Sequence, residues 1–309
     1  MSSKKYIIVI QGATASGKTG LAIDMAETFN AEIISADSRQ LYKEMSIGVA
    51  RPSDQELARV VHHFIASHSI KDEMTAAKFS EEARSLLKNY FLTKDILVLV
   101  GGSGMYIDAL LNGFDNLPSD KDVKTKILYA YEKKGISFLK EEAERLDANA
   151  LEGVDLNNPR RLMRIIEILT ITGLPLKQLK TGDLNTLNIP FFRFCIEWDR
   201  QDLYQRINSR VDKMIDNGLE LEAMALGEYK NLTALKTVGY QEWYETTSAR
   251  QETKLISDKI KQHSRNYAKR QLTWLSKYKD LIRLNPYSNF DLKRQVLNGL
   301  HNYGMIIEN

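Results

Sequence analysis

The feature that most constrains this chain is a glycine- and lysine-containing loop near its amino end. Residues 6–10 (YIIVI) form a β-branched run that is typical of a buried parallel strand. Residues 12–19 (GATASGKT) follow and fit the phosphate-binding pattern GxxxxGK[ST]. Apolar residues then recur at helical spacing from Leu21 to Phe29. A loop of this kind between a strand and a helix predicts an anion site, because backbone amides at the start of a helix attract negative charge.

Two side chains of the loop add chemistry to its backbone. Lys18 supplies a positive charge, and the Thr19 hydroxyl is suited to hold Mg²⁺. The alternative is a glycine-rich turn that binds no ligand. The pattern predicts a bound polyphosphate and does not distinguish ATP from other polyphosphates. The predicted phosphate-binding residues are Gly12, Ala13, Thr14, Ala15, Ser16, Gly17, Lys18 and Thr19.

The first hundred residues alternate between strand and helix patterns. Residues 32–35 and 96–100 are expected to be strands, and residues 76–91 an amphipathic helix. Strands separated by helices favour an α/β fold with a parallel sheet, helices on both faces, and ligands at the carboxyl ends of the strands. Residues 190–196 are again strand-like and are expected to form the last core strand.

The pattern changes to purely helical periodicity between about residue 123 and residue 180. We therefore predict that a helical domain interrupts the α/β core. The expected division is residues 1–117 for the first part of the core, 118–185 for the helical insertion, and 186–309 for the second part of the core with basic C-terminal helices.

Polar groups follow the second and third predicted strands. Asp37 can hold Mg²⁺ or accept a proton from the acceptor of a transferred group, but Asp is equally common at a helix N-cap. Ser103 lies in the glycine turn GGSG, and a glycine pair alone is commonly only a turn. A functional role for this turn is favoured because the ends of three strands are expected to meet at one crevice.

Composition excludes several other classes of protein. The single cysteine among 309 residues excludes a disulfide framework and a cysteine-rich zinc site. The apolar runs are much shorter than the ~20 residues that span a bilayer, and the amino end does not fit a signal peptide. We expect a cytoplasmic protein with no membrane contact and no obligate protein partner. His62 and His63 lack metal-ligand partners at suitable spacing, so packing or surface roles are favoured.

Basic residues are concentrated near the carboxyl end. Seven Lys and Arg residues and no acidic residue lie between residues 259 and 279. Lys261, Arg265 and Lys269 are spaced four residues apart, so their like charges share one helix face, and an RNA backbone would offset the repulsion. The alternative is a solvated face with Trp274 in the core. A second basic cluster, in the insertion, contains Arg160, Arg161 and Arg164.

These segments together resemble the tRNA isopentenyltransferase family, which includes the bacterial tRNA dimethylallyltransferases. The resemblance rests on the phosphate loop, on DSRQLY at residues 37–42, and on GGSGMY at residues 101–106. It continues through NPRRL at 158–162, RINSRVDKM at 206–214, VGYQE at 238–242 and YAKRQLTW at 267–274. Ala13 replaces the usual proline and Ser103 the usual threonine. The segments occur in the same order across nearly the whole chain.

The resemblance implies transfer of a dimethylallyl group from dimethylallyl diphosphate to N6 of the adenosine beside the anticodon. It implies Mg²⁺ as cofactor and the anticodon stem-loop of tRNA as partner. Asp37 is then the expected base, Ser103 orients a substrate, and Lys18 and Arg210 stabilise the leaving diphosphate. The implied tRNA-binding residues are Asp37, Ser38, Arg39, Gln40, Ser103, Lys124, Arg160, Arg161, Leu162, Met163, Arg164, Tyr240, Gln241, Arg265, Lys269, Arg270 and Gln271.

Three other functions fit part of the pattern. A small-molecule or nucleoside kinase would use Asp37 as base and the insertion as a lid, but it has no need of the basic C-terminal helix. An adenylate isopentenyltransferase would use a free nucleotide as acceptor, against which the basic clusters argue. An RNA-binding factor with a degenerate phosphate loop is disfavoured by the intact Lys18 and Thr19.

Overall fold

The computed structural model describes residues 5–113, 117–179, 186–245 and 253–305. The chain divides into two compact units. The first joins Met1–Leu111 to Asn188–Asn309, and the second is Asn112–Leu187. A continuous segment therefore interrupts the larger unit. No helix among the described residues is both long and apolar enough to cross a membrane.

The larger unit is built on a six-stranded sheet with the order β3-β2-β4-β1-β5-β6. All its strand pairs are parallel. This arrangement confirms the predicted α/β class. The strands are β1 Tyr6–Gln11, β2 Ile33–Ser35, β3 His62–His63, β4 Ile96–Gly101, β5 Phe191–Ile196 and β6 Ile282–Leu284.

Two edge strands differ from the sequence expectation. His62 and His63 form β3, and β6 pairs with residues 194–196 of β5. The expectation that β5 is the last core strand is therefore wrong. Strands of two and three residues are too short to show a periodic pattern, so only their pairing with longer neighbours identifies them.

The central strands bring three loops to one edge of the sheet. Gln11 lies opposite Gly101, and Ser35 lies opposite Val100. The loops that follow β1, β2 and β4 therefore begin side by side. A Cβ at Gly101 would lie 2.3 Å from the Ala36 carbonyl oxygen, so this close approach requires glycine.

Helices cover the sheet and form the second unit. Leu219–Ala225 forms α9, and a 3₁₀ turn follows at Gly227–Tyr229. Residues 251–252 of the expected C-terminal helix and 180–185 of the expected insertion lie outside the described residues. The helices are α1 Lys18–Thr28, α2 Asp54–Arg59, α3 Ala76–Tyr90, α4 Gly104–Asn112, α5 Lys121–Leu146 (kinked at Gly135), α6 Pro159–Thr172, α7 Leu176–Leu179, α8 Arg200–Asp216, α9 Leu219–Ala225, α10 Gln241–Tyr244, α11 Thr253–Leu275 and α12 Leu292–Asn302.

Packing places α8 and α11 beside the phosphate loop. Leu203 and Ile207 of α8 and Ala268 of α11 form one buried cluster with Ala13 of the loop. Burying these apolar side chains stabilises the contact between the two helices and the loop. Side chains one turn away on each helix are therefore within reach of the loop.

The second unit has its own hydrophobic core, built from α5 and α6. Leu139, Leu162 and Ile166 are among its buried residues. Asn158 caps α6 by accepting a hydrogen bond from the Arg161 backbone N–H, and Gly173 ends it in a left-handed conformation. The kink in α5 occurs at Gly135, whose φ is 74°.

Candidate active site

The phosphate loop joins β1 to α1 and has the backbone that its glycines allow. Gly17 occupies the N-cap of α1 with φ 93°, and Ala15 also has a positive φ of 63°. The Lys18 ammonium lies 3.1 Å from the Ala13 carbonyl oxygen. Burial, and next the nearby Arg210, lower the pKa of Lys18 to about 8, while Asp37 acts in the opposite direction. This lysine therefore stands in a region of concentrated positive charge.

Arg210 reaches the loop from α8. Its Nη1 donates to the Thr14 hydroxyl at 3.1 Å. Burial lowers the pKa of the Arg210 guanidinium, and Asp37 partly offsets this effect. Two desolvated cations beside one loop are costly unless an anion accompanies them, so the arrangement favours a negatively charged ligand.

Asp37 orders a local turn, and its role in catalysis or metal binding stays a prediction. Its Oδ1 accepts hydrogen bonds from the backbone N–H groups of Arg39 at 2.9 Å and Gln40 at 3.3 Å, as a capping side chain does. The same carboxylate lines a pocket together with Lys18 and Arg210. The local turn thus fixes the orientation of a carboxylate that faces the cation-rich pocket.

The pocket encloses about 160 Å³. Its polar wall includes Thr14 and Thr19, and its apolar wall includes Val100 and Ala50. The pocket therefore combines two cations, two carboxylates (Asp37 and Glu56) and a small apolar surface.

Ser103 and Tyr267 form a hydrogen-bonded group at this pocket. The Ser103 hydroxyl accepts from the Ser38 backbone N–H at 3.0 Å and donates to the Ser38 hydroxyl at 3.3 Å. Tyr267 of α11, which also lines the pocket, bonds to Ser103. Burial raises the pKa of the Tyr267 hydroxyl to about 12, so this phenol stays protonated at neutral pH. The glycine turn and the Asp37 loop are thereby joined.

Gln271 connects two of the three loops. Its side-chain oxygen accepts from the Thr14 backbone N–H at 2.8 Å, and its Nε2 donates to the Gly102 carbonyl at 2.9 Å. The residue is buried, and both ends of its amide are used by the protein. The side chain therefore braces the phosphate loop against the glycine turn, and the tRNA contact implied for Gln271 stays a prediction.

Two further braces were missed by sequence reasoning. The Trp198 indole donates to the Ser16 carbonyl at 2.9 Å, and Arg206 donates to the Ala15 carbonyl at 2.8 Å. The Arg206 guanidinium also lies 4.3 Å from the centre of the Trp198 ring. The four-residue spacing of Arg206 and Arg210 on α8 was the available signal, because it places both on one helix face.

Mg²⁺ fits the donor atoms of this pocket. The Thr19 hydroxyl and the Asp37 carboxylate line the same cavity, and oxygen donors are the ligands that Mg²⁺ prefers. Among the described residues, no group of three or more His, Cys, Asp or Glu side chains forms a complete metal site. This is compatible with Mg²⁺, which usually takes substrate phosphates and waters as its other ligands.

The basic face of α11 is less uniform than its sequence suggests. Lys261 forms an ion pair with Asp212 at 2.5 Å, and Arg265 donates to the Asn208 side chain at 2.7 Å. Lys261 therefore already has an acidic partner within the protein, and the expected RNA contact of this face stays a prediction. Lys269 and Arg270 are exposed, as are Lys277 and Lys279 of the same segment.

Trp274 is only partly buried. Its ring lies over Gly104, where a Cβ would come within 2.2 Å of the indole, and the Lys277 ammonium stands 3.6 Å from the ring centre. It therefore anchors the end of α11 against the start of α4.

Several implied tRNA contacts in the other segments are occupied by internal interactions. Leu162 and Tyr240 are fully buried, and the tRNA contacts implied for them stay predictions. Arg164 donates to Glu167 at 2.6 Å and to the Pro118 carbonyl at 2.9 Å. The remaining predicted residues of the second unit comprise exposed Lys124, Arg160 and Arg161, and partly buried Met163. Gln241 and Arg39 are partly buried.

Comparison with known proteins identifies the family. The model of the IPP transferase family matches residues 40–278. The chain belongs to the IPP transferase family. A relative from Flavobacterium psychrophilum described as tRNA dimethylallyltransferase is 41% identical over 284 residues, which cover 90% of this chain and 92% of the relative. The predicted family resemblance is confirmed.

Solved structures of IPP transferases have a similar fold. The tRNA Δ(2)-isopentenylpyrophosphate transferase of Staphylococcus epidermidis is 32% identical, with a TM-score of 0.69 and coverage of 97% of this chain and 98% of that one. A eukaryotic dimethylallyltransferase solved while acting on tRNA has a TM-score of 0.82 at 23% identity, covering 99% of this chain and 81% of that one. The latter likeness concerns the fold alone.

Proposed function

We propose that this protein is a tRNA dimethylallyltransferase. It transfers the dimethylallyl group from dimethylallyl diphosphate to N6 of the adenosine 3′ to the anticodon and releases diphosphate. The observation that carries the proposal is the shared pocket of Lys18, Arg210 and Asp37, which has cations for a diphosphate, a carboxylate for an amine proton and a small apolar wall.

In this reaction the amine nitrogen attacks the allylic carbon, and the bond from that carbon to the diphosphate oxygen breaks. Negative charge grows on the leaving diphosphate, where Lys18, Arg210 and the amides of the phosphate loop stabilise it. Mg²⁺ held through Thr19 would supply further neutralisation of that charge. The apolar wall at Val100 and Ala50 takes the five-carbon group.

The attacking amine becomes positively charged and must lose a proton. Asp37 accepts that proton, and its capping bonds to Arg39 and Gln40 fix the direction of the carboxylate. Ser103, in the turn after the neighbouring strand β4, and Tyr267 of α11 orient the Asp37 loop. Negative charge thus develops on the diphosphate and positive charge on the amine. The protein groups that face these charges are held in position before the reaction.

Lys269 and Arg270 in the first unit, and Arg160 and Arg161 in the second, provide exposed positive charge for the tRNA backbone. The acceptor adenine has to leave its stack to reach a pocket of this size. Because backbone contacts bind RNA without reading its sequence, these residues supply affinity and the pocket supplies base selection.

The test is transfer of radiolabel from dimethylallyl diphosphate to tRNA by the purified protein. We expect label in tRNA and, after nuclease digestion, in N6-dimethylallyladenosine. Parallel reactions contain AMP as acceptor, or ATP with tRNA in place of the prenyl donor. Label in AMP alone would identify a free-nucleotide transferase, and phosphoryl transfer from ATP would identify a kinase.

A further inference from the structure

Away from the phosphate loop, the backbone N–H groups of residues 46–48 bind a carboxylate of the protein itself. Glu222 of α9 accepts hydrogen bonds from three consecutive backbone amides. Its Oε2 lies 3.1 Å from the Ser46 nitrogen and 2.9 Å from the Ile47 nitrogen, and its Oε1 lies 3.0 Å from the Gly48 nitrogen. Three such charge-assisted bonds to one carboxylate hold the turn at residues 46–48 tightly to α9.

Tyr240 completes this arrangement. Its hydroxyl donates to the same Oε1 of Glu222, and its side chain is fully buried. Burial and the adjacent Glu222 carboxylate raise the pKa of the Tyr240 hydroxyl far above its usual value, so the phenol remains a donor. A Cβ at Gly48 would lie 2.5 Å from the Tyr240 ring, so only glycine fits where turn and ring meet.

The held turn is linked to the Asp37 loop through one side chain. The Gln40 Nε2 donates to the Val49 carbonyl at 3.2 Å and to the Ala50 carbonyl at 2.9 Å. The Gln40 backbone N–H in turn donates to Asp37. Gln40 and Ala50 both line the active-site pocket. A displacement of residues 46–50 would therefore be passed to the pocket wall and to Asp37.

We propose that Glu222 is a positioning residue for the transfer step, because it holds residues 46–50 so that Gln40 keeps Asp37 aimed at the acceptor amine. This inference rests on the proposed function. The described hydrogen bonds of Glu222 go to residues 46–48 and Tyr240 and not to the phosphate loop. Its effect should therefore fall on the acceptor side of the reaction and not on diphosphate binding.

Glu222→Gln tests this separation. The amide keeps the size of the side chain but turns an N–H₂ group toward backbone N–H groups, so part of the clamp is lost. We expect kcat for tRNA to fall roughly 10- to 100-fold, because displacements of about 1 Å cost rates of this order. The dissociation constant for inorganic diphosphate, measured by calorimetry, should stay within about twofold, since Lys18 and Arg210 retain their surroundings.

Two variants complete the experiment. Tyr240→Phe removes one hydrogen bond and should lower kcat in the same direction by a smaller factor. Glu220→Gln, two residues earlier on α9, removes the charge of a side chain that accepts from the Thr253 hydroxyl at 3.1 Å, and it should leave kcat unchanged. Tyr240→Phe carries the test if Glu222→Gln does not fold.

Unchanged kcat in Glu222→Gln and Tyr240→Phe would overturn the inference. So would a rise in the diphosphate dissociation constant that matches the fall in kcat, because that result would mean general destabilisation. Wild-type protein serves in every assay. Failure of wild-type protein to modify tRNA would refute the proposed function itself, whereas an active wild type with equally active variants refutes only the role of Glu222.

Discussion

The phosphate loop at residues 12–19 and the turn at residues 46–48 use the same physical device in different ways. The turn directs successive backbone N–H groups toward a carboxylate, and the sequence pattern of the phosphate loop predicts that its amides do the same for a bound anion. In the turn, the charge is the Glu222 carboxylate of the protein itself. In the phosphate loop, Lys18 and Arg210 add cations that suit a charge brought by the substrate. In the proposed reaction the phosphate loop would bind the donor, and the turn would stabilise the pocket wall on the acceptor side.

The largest fall in kcat should follow substitution of Asp37, the carboxylate expected to face the acceptor amine. Asp37→Ala removes both the base and the cap, and we expect kcat to fall about 10³-fold. Asp37→Asn is the matched control for the cap, because its side-chain oxygen can still accept from Arg39 and Gln40. A similar loss in both variants, measured by single-turnover transfer to tRNA, assigns the effect to the charge. Full activity in Asp37→Asn would remove Asp37 as the base.

The phosphate loop should respond with lost donor affinity. Lys18→Ala removes a desolvated charge beside the diphosphate, and we expect dimethylallyl diphosphate to bind roughly 10²-fold more weakly. tRNA binding by gel shift should change little. Lys293→Ala, which removes an exposed lysine of α12, is the control for simple loss of positive charge. Equal effects of the two substitutions would contradict the specific role of Lys18.

Substitution of the exposed residues Lys269 and Arg270 of α11 should weaken tRNA binding and leave donor binding unchanged. The double variant Lys269→Glu with Arg270→Glu should weaken tRNA binding about tenfold at moderate salt and reduce the salt dependence of that binding. Dimethylallyl diphosphate affinity should be unaffected. Lys293→Glu, on α12, supplies a single charge reversal outside this segment. If donor and tRNA affinities fall together, the separation of the two surfaces is wrong.

A smaller effect should appear in the pH dependence of donor binding. The pKa of Lys18 is lowered to about 8, so the charged form that attracts diphosphate is present below that pH and is lost above it. Between pH 7 and pH 8.5 we expect affinity for dimethylallyl diphosphate to fall about fourfold, with proton uptake on binding. Lys18→Arg keeps its charge and should flatten this profile. A flat profile in the wild type would show that Lys18 stays charged without the ligand.

Elements whose pattern lies within a short stretch of consecutive residues were predictable from the sequence. The strand at residues 6–10 and the loop after it carry their pattern within about fifteen residues. The edge strands β3 and β6 were not predicted, because only their pairing with neighbouring strands defines them. The α/β class followed from the alternation of longer elements, which does not depend on these edges.

The residues of the candidate active site were predictable where they belong to a short sequence motif. Lys18, Thr19 and Asp37 follow from local pattern and strand ends, and the structure brings them to one pocket. The role of Gln271 was not predictable, because its bond to Thr14 joins residues 257 positions apart. The Glu222 clamp left no signal for a similar reason, since its partners are backbone amides that any sequence supplies.

The most direct test is a crystal structure of the protein with a non-reactive thio analogue of dimethylallyl diphosphate and an anticodon stem-loop. We predict the diphosphate at Lys18 and Arg210, the allylic carbon against Val100, and the adenine N6 between that carbon and Asp37. An analogue bound elsewhere, with ATP seated in the loop and its terminal phosphate facing Asp37, would contradict the account.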